Sequence, residues 1–85
     1  MTKPCFVYIL QSDINGMFYI GCTNNLEDRI IRHNEGRSKF TKPYRPFKLV
    51  YSKKFDSKSE AMEYELKLKS FKTREALKAL IEESM

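Results

Sequence analysis

Eighty-five residues allow one domain, and 41% hydrophobic and 13% aromatic content is ordinary for a small globular core. The longest apolar run, Phe6 to Leu10, is far short of the roughly 20 residues that span a bilayer, and no secretory-length apolar segment follows Met1-Thr2-Lys3-Pro4. Cys5 and Cys22 are too few for a disulfide scaffold, and with one histidine they lack zinc-site spacing. The reading is a cytoplasmic chain without membrane contact, with both cysteines reduced.

Net charge is +5, from 16 basic and 11 acidic residues. The distribution is uneven. Between Arg37 and Lys58 the chain carries +7 and the remainder −2. This band holds Arg37, Lys39, Lys42, Arg45, Lys48, Lys53, Lys54 and Lys58. Such a band suits a polyanion, because each neutralised phosphate releases counterions. It also fits a lysine-rich solvated surface.

Cys5 to Gln11 is β-branched and aromatic and reads as a strand. Asn15-Gly16 signals a two-residue hairpin turn, which would pair Ile14 with Met17. Met17 to Cys22 returns as the second strand. Thr23-Asn24-Asn25 is a capping cluster that opens a helix from Leu26 to about Asn34, stopped by Gly36. Residues 36–46 form a polar, basic connection with Pro43 and Pro46. Phe47 to Phe55 is the third strand. Ser57-Lys58-Ser59-Glu60 matches a capping box for a helix from Lys58 to about Ser70. Thr73 caps a last helix running to the end. The order β-β-α-β-α-α defines an α+β fold: one domain, residues 1–85, with a three-stranded antiparallel sheet flanked by helices.

Polar residues on apolar faces mark the candidate chemistry. Leu26, Arg29, Ile30 and His33 share one helical stripe, so Arg29 and His33 lie beside the core. Arg29 there needs an anionic partner, which is either a structural ion pair or a ligand. On the next helix Ala61, Met62, Glu65, Leu66, Leu68 and Lys69 form one arc that encloses Glu65. Glu65 is either paired, with Lys69 at i+4, or a metal ligand. Pairing Ile14 with Met17 puts Tyr19 opposite Ser12, and so on the face of Tyr8. Gly21 shares that face and leaves room for a close backbone approach by a ligand. In that register Cys5 and Cys22 lie too far apart to bond.

These pieces together resemble the GIY-YIG nuclease superfamily. The second motif stands as Tyr19-Ile20-Gly21, and the first as Phe6-Val7-Tyr8, which keeps only the tyrosine. Cys22 to Arg29, His33-Asn34, Gly36, Phe40-Thr41, Arg45-Pro46, Leu49-Val50-Tyr51 and Ser59-Glu60-Ala61 extend the likeness. They resemble the short single-domain bacterial branch (UPF0213-like) related to the nuclease module of the excision-repair protein UvrC. The resemblance implies catalytic roles for Tyr8, Tyr19, Arg29, His33 and Glu65, with Glu65 holding one Mg²⁺ or Mn²⁺. Gly21, Thr23 and Asn34 are its motif positions. It further implies phosphodiester hydrolysis of DNA, in repair or processing, by a monomer or weak homodimer. Either tyrosine is open as the general base. Arg37, Lys39, Lys42, Arg45, Lys48, Lys53 and Lys54 then supply backbone contacts of weak sequence preference. The other reading is an inactive module on the same fold that binds nucleic acid or a protein.

Overall fold

The computed structural model describes residues 4–37, 39, 41–71 and 73–83. Phe40 and the last two residues of the expected final helix lie outside them. The elements are β1 (Cys5–Ser12), β2 (Phe18–Thr23), α1 (Leu26–Asn34), β3 (Phe47–Phe55), α2 (Lys58–Lys69) and α3 (Arg74–Glu83), with a 3₁₀ turn at Lys42–Tyr44. The sheet is antiparallel in the order β2-β1-β3. This is the expected α+β arrangement.

Strand alternation sorts the sheet into two faces. Val7, Ile9, Tyr51, Ala61, Leu68 and Ile81 build one cluster with α2 and α3. Tyr8, Leu10 and Phe47 build the other, against Leu26 and Ile30 of α1. Val7, Ile9, Leu10 and Leu68 are fully buried, each contributing about 1.5–3 kcal/mol by leaving water. β3 carries one extra residue, Val50, between the partners of Ile9 and Leu10. This bulge bends the outer strand.

The caps follow local chemistry. Asn25 Oδ1 accepts from the Asp28 N–H at 3.1 Å and opens α1. Gly36 takes φ +80, and the Gly36 and Arg37 N–H groups bond back to His33 and Arg32 carbonyls. This is a Schellman closure, which favours glycine. Ser57 Oγ accepts from the Glu60 N–H at 3.2 Å and starts α2. Thr73 Oγ1 accepts from the Ala76 N–H at the start of α3.

Three expectations are corrected. Asn15-Gly16 is not a two-residue turn. The chain turns through Asp13 to Gly16, with the Ser12 N–H bonded to the Met17 carbonyl, and Leu10 faces Tyr19. Gly16 takes φ +73, and its carbonyl accepts from Arg74 Nη2 at 2.6 Å, so contact with α3 helps set the longer loop. The register therefore slips by two residues, which keeps every side chain on its expected face. The same slip overturns the expected separation of the cysteines. Cys22 now pairs with Val7, diagonal to Cys5, and the two Sγ atoms lie 2.7 Å apart. Finally, Met62 and Leu66 point to solvent, 47% and 66% exposed. The sheet meets α2 through Ala61, Tyr64 and Leu68 instead.

Candidate active site

The α1 face of the sheet carries two tyrosines and a histidine in contact. Tyr8 and Tyr19 stand with ring centroids 6.4 Å apart. The His33 ring packs edge-on against Tyr19 at 4.7 Å. Tyr8 lies opposite Gly21 in the ladder, and its phenol fills the space over that glycine. The room left by Gly21 is thus taken by Tyr8 and not by a ligand.

His33 is 2% exposed and tied at both nitrogens. Nδ1 meets Thr41 Oγ1 at 2.9 Å, and Nε2 meets the Tyr8 hydroxyl at 3.4 Å. Burial, and secondarily Arg29, lowers its pKa below the usual 6.5, so the ring is neutral at pH 7. A neutral ring has one donor and one acceptor. If Nδ1–H donates to Thr41, Nε2 accepts from Tyr8; in the other tautomer both bonds reverse. Tyr8 is held well above its ordinary value, first by burial and then by Tyr19, against the opposing pull of Arg29. It keeps its proton.

Tyr19 is more open. It lines a groove of about 250 Å³ with Arg29, Arg32, His33 and Arg37. Arg29 also lines a larger cleft, about 470 Å³, with Cys5, Cys22, Thr23, Asn24, Lys58, Met62 and Glu65. Arg29 therefore borders both spaces, one lined by Tyr19 and His33 and the other by Glu65. Burial, then the contact with Cys5, pushes the Cys22 thiol up to about 12.

Glu65 pairs with Lys69 at 3.3 Å, and its side chain is 18% exposed. Among the described residues no three of His, Cys, Asp and Glu gather as a metal cage. A single carboxylate in a cleft nonetheless fits Mg²⁺, which keeps several waters and takes substrate phosphate oxygens. Glu65 is the residue that would hold it.

Thr23 and Asn34 hold the backbone. Thr23 Oγ1 accepts from the Asn25 N–H at 3.1 Å. Asn34 Oδ1 accepts from the Phe47 N–H at 2.6 Å, and Nδ2 donates to the Phe47 carbonyl at 3.2 Å. This amide pair docks the end of α1 on the start of β3.

The basic band does not form one patch. Arg37 reaches the tyrosine groove, although it also pairs with Glu35 at 2.8 Å. Lys42 and Arg45 gather beside Gly36. Strand alternation puts Lys54 on the α1 face and Lys48 and Lys53 on the other, judged by their β1 partners. Lys53 rests over the Tyr64 ring at 4.9 Å. Lys39 is exposed. Lys58 joins the Glu65 cleft.

Two residues escape a sequence reading for site roles. Arg32 lines the groove while pairing with Asp28 at 3.1 Å; its place one turn before Gly36 on a basic helix end is the only signal. Thr41 sits in a polar connection, yet it is 3% exposed and bonds His33.

The α+β frame and its match to a family model of nuclease-type domains place the chain in that class. Residues 4–78 match the family model described as the GIY-YIG catalytic domain. The chain belongs to this GIY-YIG family and, within it, to the UPF0213 proteins. It is 47% identical over 79 residues to a UPF0213 protein of Staphylococcus haemolyticus, covering 92% of this chain and 94% of that one. A UPF0213 protein of Staphylococcus saprophyticus is 41% identical over 78 residues, at 91% and 94% coverage. The solution NMR structure of a UPF0213 protein from Bacillus halodurans superposes with a TM-score of 0.60 at 35% identity, covering 93% of this chain and 83% of that chain. Family membership supports a nuclease-like function acting on nucleic acid. Among the described residues, no helix is long and apolar enough to cross a membrane.

Proposed function

We propose that this chain hydrolyses phosphodiester bonds in DNA, in a repair or processing setting, with one Mg²⁺ or Mn²⁺ at Glu65. The observation that carries this reading is the position of Arg29, shared between the Tyr19–His33 groove and the Glu65 cleft. Among the described residues Arg29 is the one common to both linings, so a phosphate it held would stand between the two sets of groups.

Arg29 binds the scissile phosphate and offsets the charge that builds in the transition state. Arg32 and Arg37 reinforce that field along the groove. Tyr19 takes the proton of the attacking water, because it is open to the groove whereas Tyr8 is 1% exposed and held protonated. Tyr8 and neutral His33 fix the position of Tyr19 through ring contacts. Glu65, now paired with Lys69, is the residue that would hold a divalent ion, which would supply Lewis-acid stabilisation of the leaving 3′ oxygen. With no single basic surface, binding is weak, salt-sensitive and tolerant of sequence.

The test is cleavage of plasmid, single-stranded and branched DNA with Mg²⁺ or Mn²⁺. Arg29→Ala should lower the rate by about 10²–10³, the usual cost of removing a charge-stabilising donor. Glu65→Ala should abolish metal-dependent turnover. Either variant cutting at the unmodified rate overturns the assignment. DNA binding without cleavage by the unmodified chain would favour the inactive module, a reading consistent with Lys69 already neutralising Glu65.

A further inference from the structure

The hydrolytic reading leaves Cys5 and Cys22 without a task, although both line the cleft that holds Arg29 and Glu65. They are the chain's only cysteines, and they occupy diagonal positions on adjacent antiparallel strands. Their Sγ atoms are in contact at 2.7 Å. Exposure separates them: Cys5 is 5% exposed and buried, whereas Cys22 is partly open. One thiol is placed to meet a reagent in the cleft, and the other waits behind it.

We propose that this pair is an oxidation site, converted by a hydroperoxide to an intramolecular disulfide that ties β1 to β2. The Cys22 sulfur attacks the terminal peroxide oxygen and the O–O bond breaks. Cys22 becomes a sulfenic acid, and the departing alkoxide or hydroxide takes the thiol proton, leaving as alcohol or water. The Cys5 sulfur then attacks the sulfenic sulfur, the S–O bond breaks, and hydroxide leaves as water with the Cys5 proton. Two electrons pass from the two sulfurs to the peroxide. The product joins covalently the two strands that carry Tyr8 and Tyr19.

The experiment treats the reduced chain with hydrogen peroxide and maps its peptides by mass spectrometry without reductant. The four methionines also gain oxygen, so the cysteine peptides give the readout. The expected product is a monomer with Cys5 and Cys22 peptides linked, lighter by two hydrogens and restored by a dithiol. Its melting midpoint should rise by about 10 °C, from cross-linking the strand pair. In Cys5→Ser, oxidation should stop at a Cys22 sulfenic acid captured by a 1,3-dione; in Cys22→Ser, Cys5 should stay unmodified. Sulfinic acid at Cys22 in the unmodified chain, a disulfide-linked dimer, or two thiols still open to alkylation would each overturn the proposal. All these readouts are independent of DNA cleavage, so they stand or fall apart from the nuclease reading.

Discussion

Tyr8 lies directly across the ladder from Gly21, and its phenol occupies the space that a side chain at position 21 would need. The second-motif glycine is therefore a packing requirement for the first-motif tyrosine. Gly21→Ala should destabilise the fold by about 1–3 kcal/mol through overpacking, as measured by urea unfolding. It should also displace Tyr8 from His33. A double-mutant cycle with Tyr8→Phe should show coupling above about 0.5 kcal/mol; strict additivity would contradict the contact.

Thr41 should matter more than its place in a polar connection implies. It stands at the start of the 3₁₀ turn without capping it, and spends its hydroxyl on buried His33. Thr41→Val should cost about 1–3 kcal/mol by leaving Nδ1 without a partner. Thr41→Ser should recover most of that loss. Nitrogen NMR shifts of His33 give a second check: the valine variant should alter the tautomer balance, and the serine variant should not.

His33 also sets a pH dependence with a definite sign. Its folded pKa lies below the ordinary 6.5, so below pH 6.5 the unfolded chain binds a proton that the folded chain refuses. Stability is complete above pH 6.5 and falls as pH drops from there toward the lowered native value. This is the chain's single histidine, so a loss that begins near pH 6.5, above the carboxylate range, belongs to it. Melting midpoints measured across the window should fall on acidification. In His33→Gln the slope over the same window should be much flatter.

Lys69 competes with any cation for Glu65. Lys69→Ala should tighten Mn²⁺ binding several-fold, read by the electron paramagnetic resonance of the free ion. Its effect on stability should stay within about 1 kcal/mol, because Lys69 is half exposed and an i, i+4 pair of this kind contributes little, although Glu65 is mostly covered. Glu65→Gln should weaken Mn²⁺ binding. If Lys69→Ala leaves the affinity unchanged, Glu65 is not the ligand.

The strands, helices and caps were legible because each rests on local chemistry: β-branched runs, Asn25, Gly36 and Ser57. The shared face of Tyr8 and Tyr19 was legible despite a wrong turn, since a slip of two residues preserves alternation. What local reading could not reach depends on contacts distant in sequence. The loop length is tied to Arg74, 58 residues from Gly16. The cysteine contact depends on that register. Met62 and Leu66 carry apolar side chains on the solvent side of α2, and only the helix's rotation against the sheet shows it. Thr41 looked like a loop residue because burial inside a polar connection leaves no periodic trace. The basic band read as one feature along the chain, but alternation along β3 divides it between two faces.

β3 is an outer strand, with its inner edge paired to β1. An outer edge is a template on which a second sheet can grow. Lys48, Lys53 and Lys54 are exposed along this strand, and Val50 bulges it. Antiparallel docking of another copy would bring like charges together along a bent edge. The lysines along this edge therefore oppose self-association through it, where a flat, neutral edge would invite a second strand.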